Sequence, residues 1–337
     1  MRTSEIMAEV WRGQFLECAH YGHIAICNTK GDLLASWGDP EAVILPRSSS
    51  KMLQALPLVE SGAAARFGLT SQHLALSCAS HNGALIHTGP VSKWLDKLEL
   101  SETDLRCGGH MPKDEAAMKG LLCGDHCFDQ THNNCSGKHS GFLTLNKHLG
   151  GGAEYLELDH PVQIAVKAAQ EDMAGEETKG YAIDGCSAPN FAMTLTGFAR
   201  ALARMADPSG LGPAREQAAR SLVDAMAKHP ELIAGETRAC TELMRAMDGK
   251  AVIKTGAEGV FAAILPERGL GVALKIEDGA TRASECAIAA ILVRLGVADA
   301  NHPVVQNHLF YDQRNCNDFS VGTIRPSQLI YQDGVGL

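Results

Sequence analysis

Short apolar runs of strand type stand at both ends of this chain, and helical periodicity fills most of what lies between them. That order demands a sheet whose strands are distant in sequence, with the helices inserted as one block. Near the N-terminus His23-Ile24-Ala25-Ile26-Cys27 and Leu33-Leu34-Ala35-Ser36-Trp37 flank Asn28-Thr29-Lys30-Gly31, two apolar runs around a glycine-containing turn, hence a hairpin. From Ser48 the period changes. Met52, Leu53, Leu56 and Val59 recur at three- and four-residue spacings, which predicts a helix with one buried face. Helical spacing recurs over 91–98, 141–149, 162–173, 191–205, 214–228 and 238–247, and Pro90, Pro161 and Pro213 read as helix starts. Strands return at 251–254, 260–264 and 270–276, followed by an apolar helix at 283–295 and an extended piece around Phe319-Ser320-Val321. The expected fold class is α+β, an antiparallel sheet built from N- and C-terminal strands with a helical block between them. One unit over 1–337 is expected, with a β-rich lobe of about 1–47 and 250–337 and a helical lobe of about 48–249.

Composition narrows the function classes. With 45% hydrophobic and 20% charged residues in 337, the chain can bury a sizeable core. Its 30 Lys+Arg against 39 Asp+Glu give −9, and no basic block stands out, which argues against nucleic acid as a partner. No uncharged apolar run approaches the roughly 20 residues of a membrane helix. Acids at Glu5 and Glu9 occupy the place where a secretion signal would be apolar. The 11 cysteines are an odd number scattered through a mid-sized chain, as expected for reduced thiols in a cytoplasmic protein.

Chemistry concentrates in a few segments. Ser48-Ser49-Ser50-Lys51 stands at the mouth of the first predicted helix, where Ser48 and Lys51, three apart, share a face. A serine hydroxyl becomes nucleophilic when a base takes its proton, and a lysine amine held neutral can be that base. Ser80-His81-Asn82 has the form Ser-x-Asn, and Lys254-Thr255-Gly256 ends the first late strand. Ser-x-x-Lys, Ser-x-Asn and Lys-Thr-Gly in that chain order are the signature of penicillin-recognising serine enzymes. A capping serine beside an exposed lysine is the plainer reading of the first motif alone. The ordered set outweighs it.

A second concentration is Cys123, His126, Cys127, His132, Cys135, Lys138 and His139 within one run, rich in soft and imidazole ligands. Its spacing matches no zinc finger, so several of these cysteines also read as buried small hydrophobes. Asp184-Gly185-Cys186 follows an apolar stretch at a strand-to-loop corner, where Asp184 could bind an amino group and Cys186 could join Cys135 around a metal. The spacing leaves that pairing open.

The blocks Pro46-Arg47-Ser48-Ser49-Ser50-Lys51, Cys78-Ala79-Ser80-His81-Asn82-Gly83, His132-Asn133-Asn134-Cys135-Ser136-Gly137-Lys138-His139, Asp184-Gly185-Cys186-Ser187-Ala188-Pro189 and Lys254-Thr255-Gly256-Ala257-Glu258-Gly259 together resemble the rhizobial-type (class 3) L-asparaginases. The resemblance spans nearly the whole chain. It implies a fold similar to serine β-lactamases and glutaminases, a homodimer, and hydrolysis of L-asparagine to L-aspartate and ammonia. It also implies two Ser–Lys pairs, Ser48 with Lys51 and Ser80 with Lys254, the last resting on the Lys-Thr-Gly match alone. Zinc would be held by Cys135, Lys138 and Cys186. For substrate binding, Arg47 is a candidate for the α-carboxylate, Asp184 or His139 for the α-ammonium, and Asn82 accompanies Ser80. Either Ser48 or Ser80 could be the acylated serine. A glutaminase, a β-lactamase or peptidase, and a non-enzymatic zinc-stabilised module are the alternatives.

Overall fold

A computed structural model describes residues 3–124 and 127–331. By internal contacts the chain forms two units: one of residues 1–49, 193–207 and 242–337, the other of residues 50–192 and 208–241.

The first unit is built on an eight-stranded antiparallel sheet. In chain order the strands are β1 (Glu5–Arg12), β2 (Phe15–Asn28), β3 (Leu33–Trp37), β4 (Val43–Ile44), β5 (Tyr181–Ile183), β6 (Pro189–Phe191), β7 (Met193–Thr194), β8 (Val252–Thr255), β9 (Val260–Leu265), β10 (Leu270–Ile276), β11 (Tyr311–Arg314) and β12 (Ser320–Pro326). The main sheet runs β11-β12-β1-β2-β10-β9-β8, and β3 pairs with β2 off this path. This is the α+β plan expected from strands at both ends of the chain. Strand β2 is long enough to serve three neighbours. Its first half pairs with β1 from Phe15 to Gly22, and its second half pairs with β10 and with β3. All six residues of β9 are buried, which an alternating strand achieves only when both faces of the sheet are covered. Leu195–Ala206 packs on β10, β2 and β9, while Thr281–Arg294 packs against β12, β1 and β9. The short strands β4 and β7 pair with each other in this unit.

The second unit is helical. Counting from the N-terminus, the helices of the whole chain are α1 (Lys51–Gln54), α2 (Leu56–Glu60), α3 (Ala63–Arg66), α4 (Ser71–Ser77), α5 (Leu85–Lys97), α6 (Glu115–Cys123), α7 (Ser136–Leu149), α8 (Pro161–Ala174), α9 (Leu195–Ala206), α10 (Pro213–Lys228), α11 (Pro230–Ile233), α12 (Ala239–Met247), α13 (Thr281–Arg294) and α14 (Pro303–Leu309). Helix α7 is central and packs on α4, α5, α8 and α2. Every residue from Ser136 to Asn146 is buried. Two of its hydroxyls bond back along the helix: Ser140 Oγ donates to Ser136 O and Thr144 Oγ1 to Ser140 O, and Thr144 Oγ1 accepts from Trp94 Nε1. The two-stranded β5–β6 hairpin belongs to this unit.

Three details differ from the sequence reading. The helix expected from Ser48 onward is broken into α1 and α2, because Pro57 carries no N–H to continue the ladder. Pro90 lies inside α5 rather than at its start, since the helix begins at Leu85 with Leu85 and Ile86 exposed. The stretch expected as helix from 191 instead opens with the strands β6 and β7, and α9 starts at Leu195.

Candidate functional site

In the first unit, Arg47–Ser50 forms a 3-10 turn directly ahead of α1. Arg47 has φ +53°, a conformation costly for a residue with a side chain. Ser48 follows it, partly exposed, and the Ser49 hydroxyl donates to Pro46 O at 2.5 Å. Strand β8 ends beside this turn. A Cβ on Gly256 would lie 2.8 Å from Pro46 O and 3.3 Å from Ser49 Cβ, so only glycine lets the two segments approach. Lys254 is fully buried, with Nζ donating to Thr255 O at 2.8 Å. The structure therefore brings the Lys-Thr-Gly segment against the Arg47–Ser49 turn. The following turn is also strained, at Glu258 with φ +57°.

The second unit gathers Lys51, Ser80, Asn82, Cys135, Lys138, His139, Asp184 and Cys186. After α4 the chain runs without regular structure through Ser80-His81-Asn82-Gly83 and is pinned from three directions. Ser80 N donates to Ile233 O at 2.8 Å and His81 N to Asn134 O at 3.2 Å, while Asn82 O accepts from Lys113 N and Asp114 N. Lys51, 1% exposed, donates from Nζ to Ala79 O, the carbonyl just before Ser80, and to Cys135 Sγ at 3.1 Å. Lys138 Nζ donates to Cys186 Sγ at 3.0 Å and lies 5.2 Å from the Phe142 ring centre. Each buried lysine thus meets a sulfur.

The two sulfurs act on each other's protons in opposite directions. Hydrogen bonding to Cys135, with the Lys138 charge behind it, holds Cys186 well below the usual thiol range. The same bond and complete burial push Cys135 well above it. Burial works against the Lys138 charge, yet the Cys186 and Cys135 sulfurs outweigh it and keep Lys138 an ammonium. Burial pushes His139 down to about 4, so this imidazole is neutral. Its Nδ1 bonds Tyr155 Oη at 2.8 Å. That oxygen also accepts from Arg106 N at 2.9 Å. Nε2 is buried without a hydrogen-bond partner. Asp184 accepts from Gly185 N at 2.7 Å in a tight loop closed by Ser187 at φ +66°.

The sequence motifs pass over two residues that hold this arrangement. His81, read only as the middle of Ser-x-Asn, accepts from Gly83 N on Nδ1 and bonds Ser136 Oγ through Nε2, and so ties the Ser80 loop to the start of α7. Tyr155, fully buried, orients His139. A signal for His81 existed in its position beside Ser80. Nothing near Tyr155 in sequence marks it.

The run from Cys123 to His139 does not close into a ligand cluster of its own. Cys123, the last residue of α6, and Cys127 are exposed thiols, His132 bonds Asp129, and His126 lies outside the described residues. Among the described residues no three Cys, His, Asp or Glu side chains come together as a metal site. The set that does converge is two thiols and a lysine amine, with the orphaned Nε2 of His139 in the adjoining turn. Soft sulfur with nitrogen is a donor chemistry that suits zinc.

The fold is α+β, and the family that the sequence matches is one of amidohydrolases acting on small molecules. The chain belongs to the L-asparaginase II family, whose sequence profile matches residues 8–326. No curated protein matches it. Among solved structures it is similar to a candidate β-lactamase of Bacteroides dorei DSM 17855, with 12% identity, 76% of this chain and 84% of that chain covered, and a TM-score of 0.42. It is also similar to Mglu in its native form (15% identity, 83% and 66% covered, TM-score 0.43) and to a β-lactamase from Mycobacterium bovis (12%, 78% and 89%, 0.40). Among the described residues no helix is long and apolar enough to cross a membrane.

Proposed function

We propose that the protein hydrolyses the side-chain amide of L-asparagine to L-aspartate and ammonia through an acyl-enzyme. The observation that carries this reading is Lys51, a buried amine fixed on the carbonyl next to Ser80 and on a sulfur, three residues after Ser48. A lysine in that setting is unsuited to solvent contact and suited to proton transfer.

In the proposed sequence the amine of Lys51 takes the proton of Ser48, whose oxygen attacks the amide carbon. Lys254 and Ser80 relay a proton to the departing nitrogen, which leaves as ammonia. Water then attacks the ester and frees aspartate, with the proton returned to Ser48. Splitting the reaction this way avoids direct attack by water on a resonance-stabilised amide. Arg47 would pair with the α-carboxylate and Asp184 with the α-ammonium, while Asn82 and the neutral His139 would offer hydrogen bonds to substrate. Zinc, when bound, would be held by Cys135, Cys186 and Lys138 and would supply a fixed positive charge that orders these loops and orients an anionic group.

The contact of Lys51 with Ala79 O also supports a second reading, in which Ser80 is the acylated serine. The experiment is ammonia release from L-asparagine, run beside L-glutamine, with Ser48→Ala and Ser80→Ala. Release from asparagine alone, lost in Ser48→Ala, is the expected result. Near-normal turnover in Ser48→Ala transfers the role to Ser80. Release from both amides widens the substrate class to glutamine, and none from either in folded, zinc-supplied protein overturns the proposal.

A further inference from the structure

The first unit contains a second chemically organised cluster, separate from every residue placed in amide hydrolysis. Cys18 and His20 lie two apart on β2 and therefore share a face of the sheet. Because β2 neighbours β10, the turn after Ile276 returns beside them, with Glu277 N donating to Tyr21 O at 2.9 Å. That turn delivers Asp278, and the first turn of α13 delivers Arg282. His20 Nδ1 bonds Asp278 Oδ2 at 2.6 Å, and Arg282 Nε donates to His20 Nε2 at 3.0 Å. The tautomer follows. Nδ1 carries the proton toward the carboxylate, and the lone pair of Nε2 accepts from Arg282. The sulfur of Cys18 lies 3.8 Å from that Nε2 and 3.8 Å from Arg282 Nη2. Asp278 is itself fixed, since its other oxygen accepts from Ala280 N at 3.0 Å.

This is a nucleophile with a base in reach, the base oriented by a carboxylate, and a cation beside the sulfur where thiolate charge would form. His20 is 2% exposed whereas Cys18 is only partly covered, so the base is sheltered while the sulfur can be approached. The exposed thiols Cys123, Cys127 and Cys316 have no histidine or arginine bonded to sulfur among the described residues.

We propose that Cys18, His20, Asp278 and Arg282 form a thiol-reactive site that is modified by small carboxylate-bearing disulfides. As the Arg282 guanidinium turns from His20 onto the incoming carboxylate, the Nε2 lone pair is freed to take the Cys18 proton, and the thiolate attacks one sulfur of R–S–S–R. A new S–S bond joins Cys18 to RS as the old one breaks, and the departing RS⁻ takes the proton from His20 and leaves as RSH. The disulfide is the only oxidant needed. Arg282 stabilises the thiolate and pairs with the carboxylate of the incoming molecule, which sets the preference for an anionic partner.

The test uses the full chain carrying Cys123→Ser, Cys127→Ser and Cys316→Ser, with oxidised glutathione as the probe and peptide mass mapping as the readout. Cys18 is expected to be the first residue modified, faster in the folded protein than in the same chain in denaturant. Asp278→Asn and Arg282→Gln, both at accessible positions, should each slow it by about tenfold or more. Cystamine, a cationic disulfide, should react more slowly than oxidised glutathione, and Arg282→Gln should remove that preference. Cys18→Ser should leave ammonia release unchanged, which separates this site from amide hydrolysis. An unmodified Cys18, a rate no higher than in denaturant, or indifference to both Asp278→Asn and Arg282→Gln overturns the proposal.

Discussion

Helix α7 owes its position to one missing methyl group, and Gly137→Ala measures how closely the site depends on it. Gly137 sits in the first turn of α7, between Cys135 and Lys138, and faces the backbone of α4. A Cβ there would overlap the Leu76 carbonyl oxygen and stand 2.9 Å from its carbon and 3.1 Å from Leu76 Cβ. The obstacle is backbone, so no rotamer change relieves it. The oxygen is the tightest of the three contacts, and an ordinary separation from it requires α7 and α4 to part by roughly 1 Å. Overpacking of this kind costs about 1–3 kcal/mol, and the gain in helix propensity from glycine to alanine offsets up to about 1 kcal/mol. The expected net is a loss of about 1–2 kcal/mol by urea denaturation. Turnover should suffer more. The shift carries Lys138 and His139 away from the Ser80 loop, and misplacements approaching 1 Å cost about 10²-fold, so ammonia release from L-asparagine should fall by about 10- to 100-fold. Gly120→Ala in α6 is the control, since nothing lies within 4 Å of its Cβ and it should be neutral or stabilising. A Gly137→Ala protein with unchanged denaturation midpoint and turnover would refute the argument that close approach of α7 and α4 builds the site.

Lys51→Met keeps the buried volume and removes the amine, and should lower ammonia release by about 10²–10⁴-fold. Turnover within twofold of the parent removes Lys51 as the base. Cys186→Ser deletes the anion beside Lys138 and leaves a buried ammonium with less compensation, which should cost up to about 3–5 kcal/mol in urea denaturation. Zinc content measured by atomic emission should fall in the same variant, and an unchanged midpoint would show that the thiolate is not the counter-charge. Acid should destabilise the fold through His81 and His87, both held below the ordinary value of 6.5 chiefly by burial. The unfolded chain then binds more protons than the folded one below about pH 6.5. The stability from these neutral imidazoles is full above that pH and is lost as pH falls toward the depressed folded-state values. Between pH 6.5 and 5.5 the two should cost at most about 2 kcal/mol together. Denaturation curves for the parent and His87→Gln across that interval check it, and parallel behaviour would count against the assignment.

The fold was legible wherever one face of an element is apolar. Strands β9 and β10 and helices α8, α10 and α13 lie within a residue or two of their predicted bounds, because burial selects their side chains directly. The first turn of α7 was not legible. Ser136-Gly137-Lys138-His139-Ser140 shows no apolar period, and it is helical because its polar groups find partners inside the unit. Strand β1 escaped notice although it joins β2 through a tight hairpin at Gly13-Gln14: Glu5, Glu9 and Arg12 interrupt its apolar residues, and its other partner, β12, is distant in sequence. At the site, residue types and chain order indicated Ser48, Lys51, Ser80, Lys254 and the Cys135–Cys186 pairing through family resemblance. Spacing could not show that Lys51 reaches Cys135, since the two are separated by 84 residues.

That last contact sets the two buried lysines of the cluster apart. Lys51 Nζ donates to the Ala79 carbonyl and to Cys135 Sγ, so one of its partners is the backbone that leads into Ser80. Lys138 Nζ donates to Cys186 Sγ, and the sulfurs of Cys186 and Cys135, with Asp184 behind them, favour its charge against the cost of burial. Lys51 is therefore tied to the loop that carries Ser80, and Lys138 to the corner that carries Cys186. A buried amine needs acceptors, and sulfur supplies one to each lysine without adding a second carboxylate to the cluster. Cysteine at both positions therefore serves the lysines, and not metal binding alone.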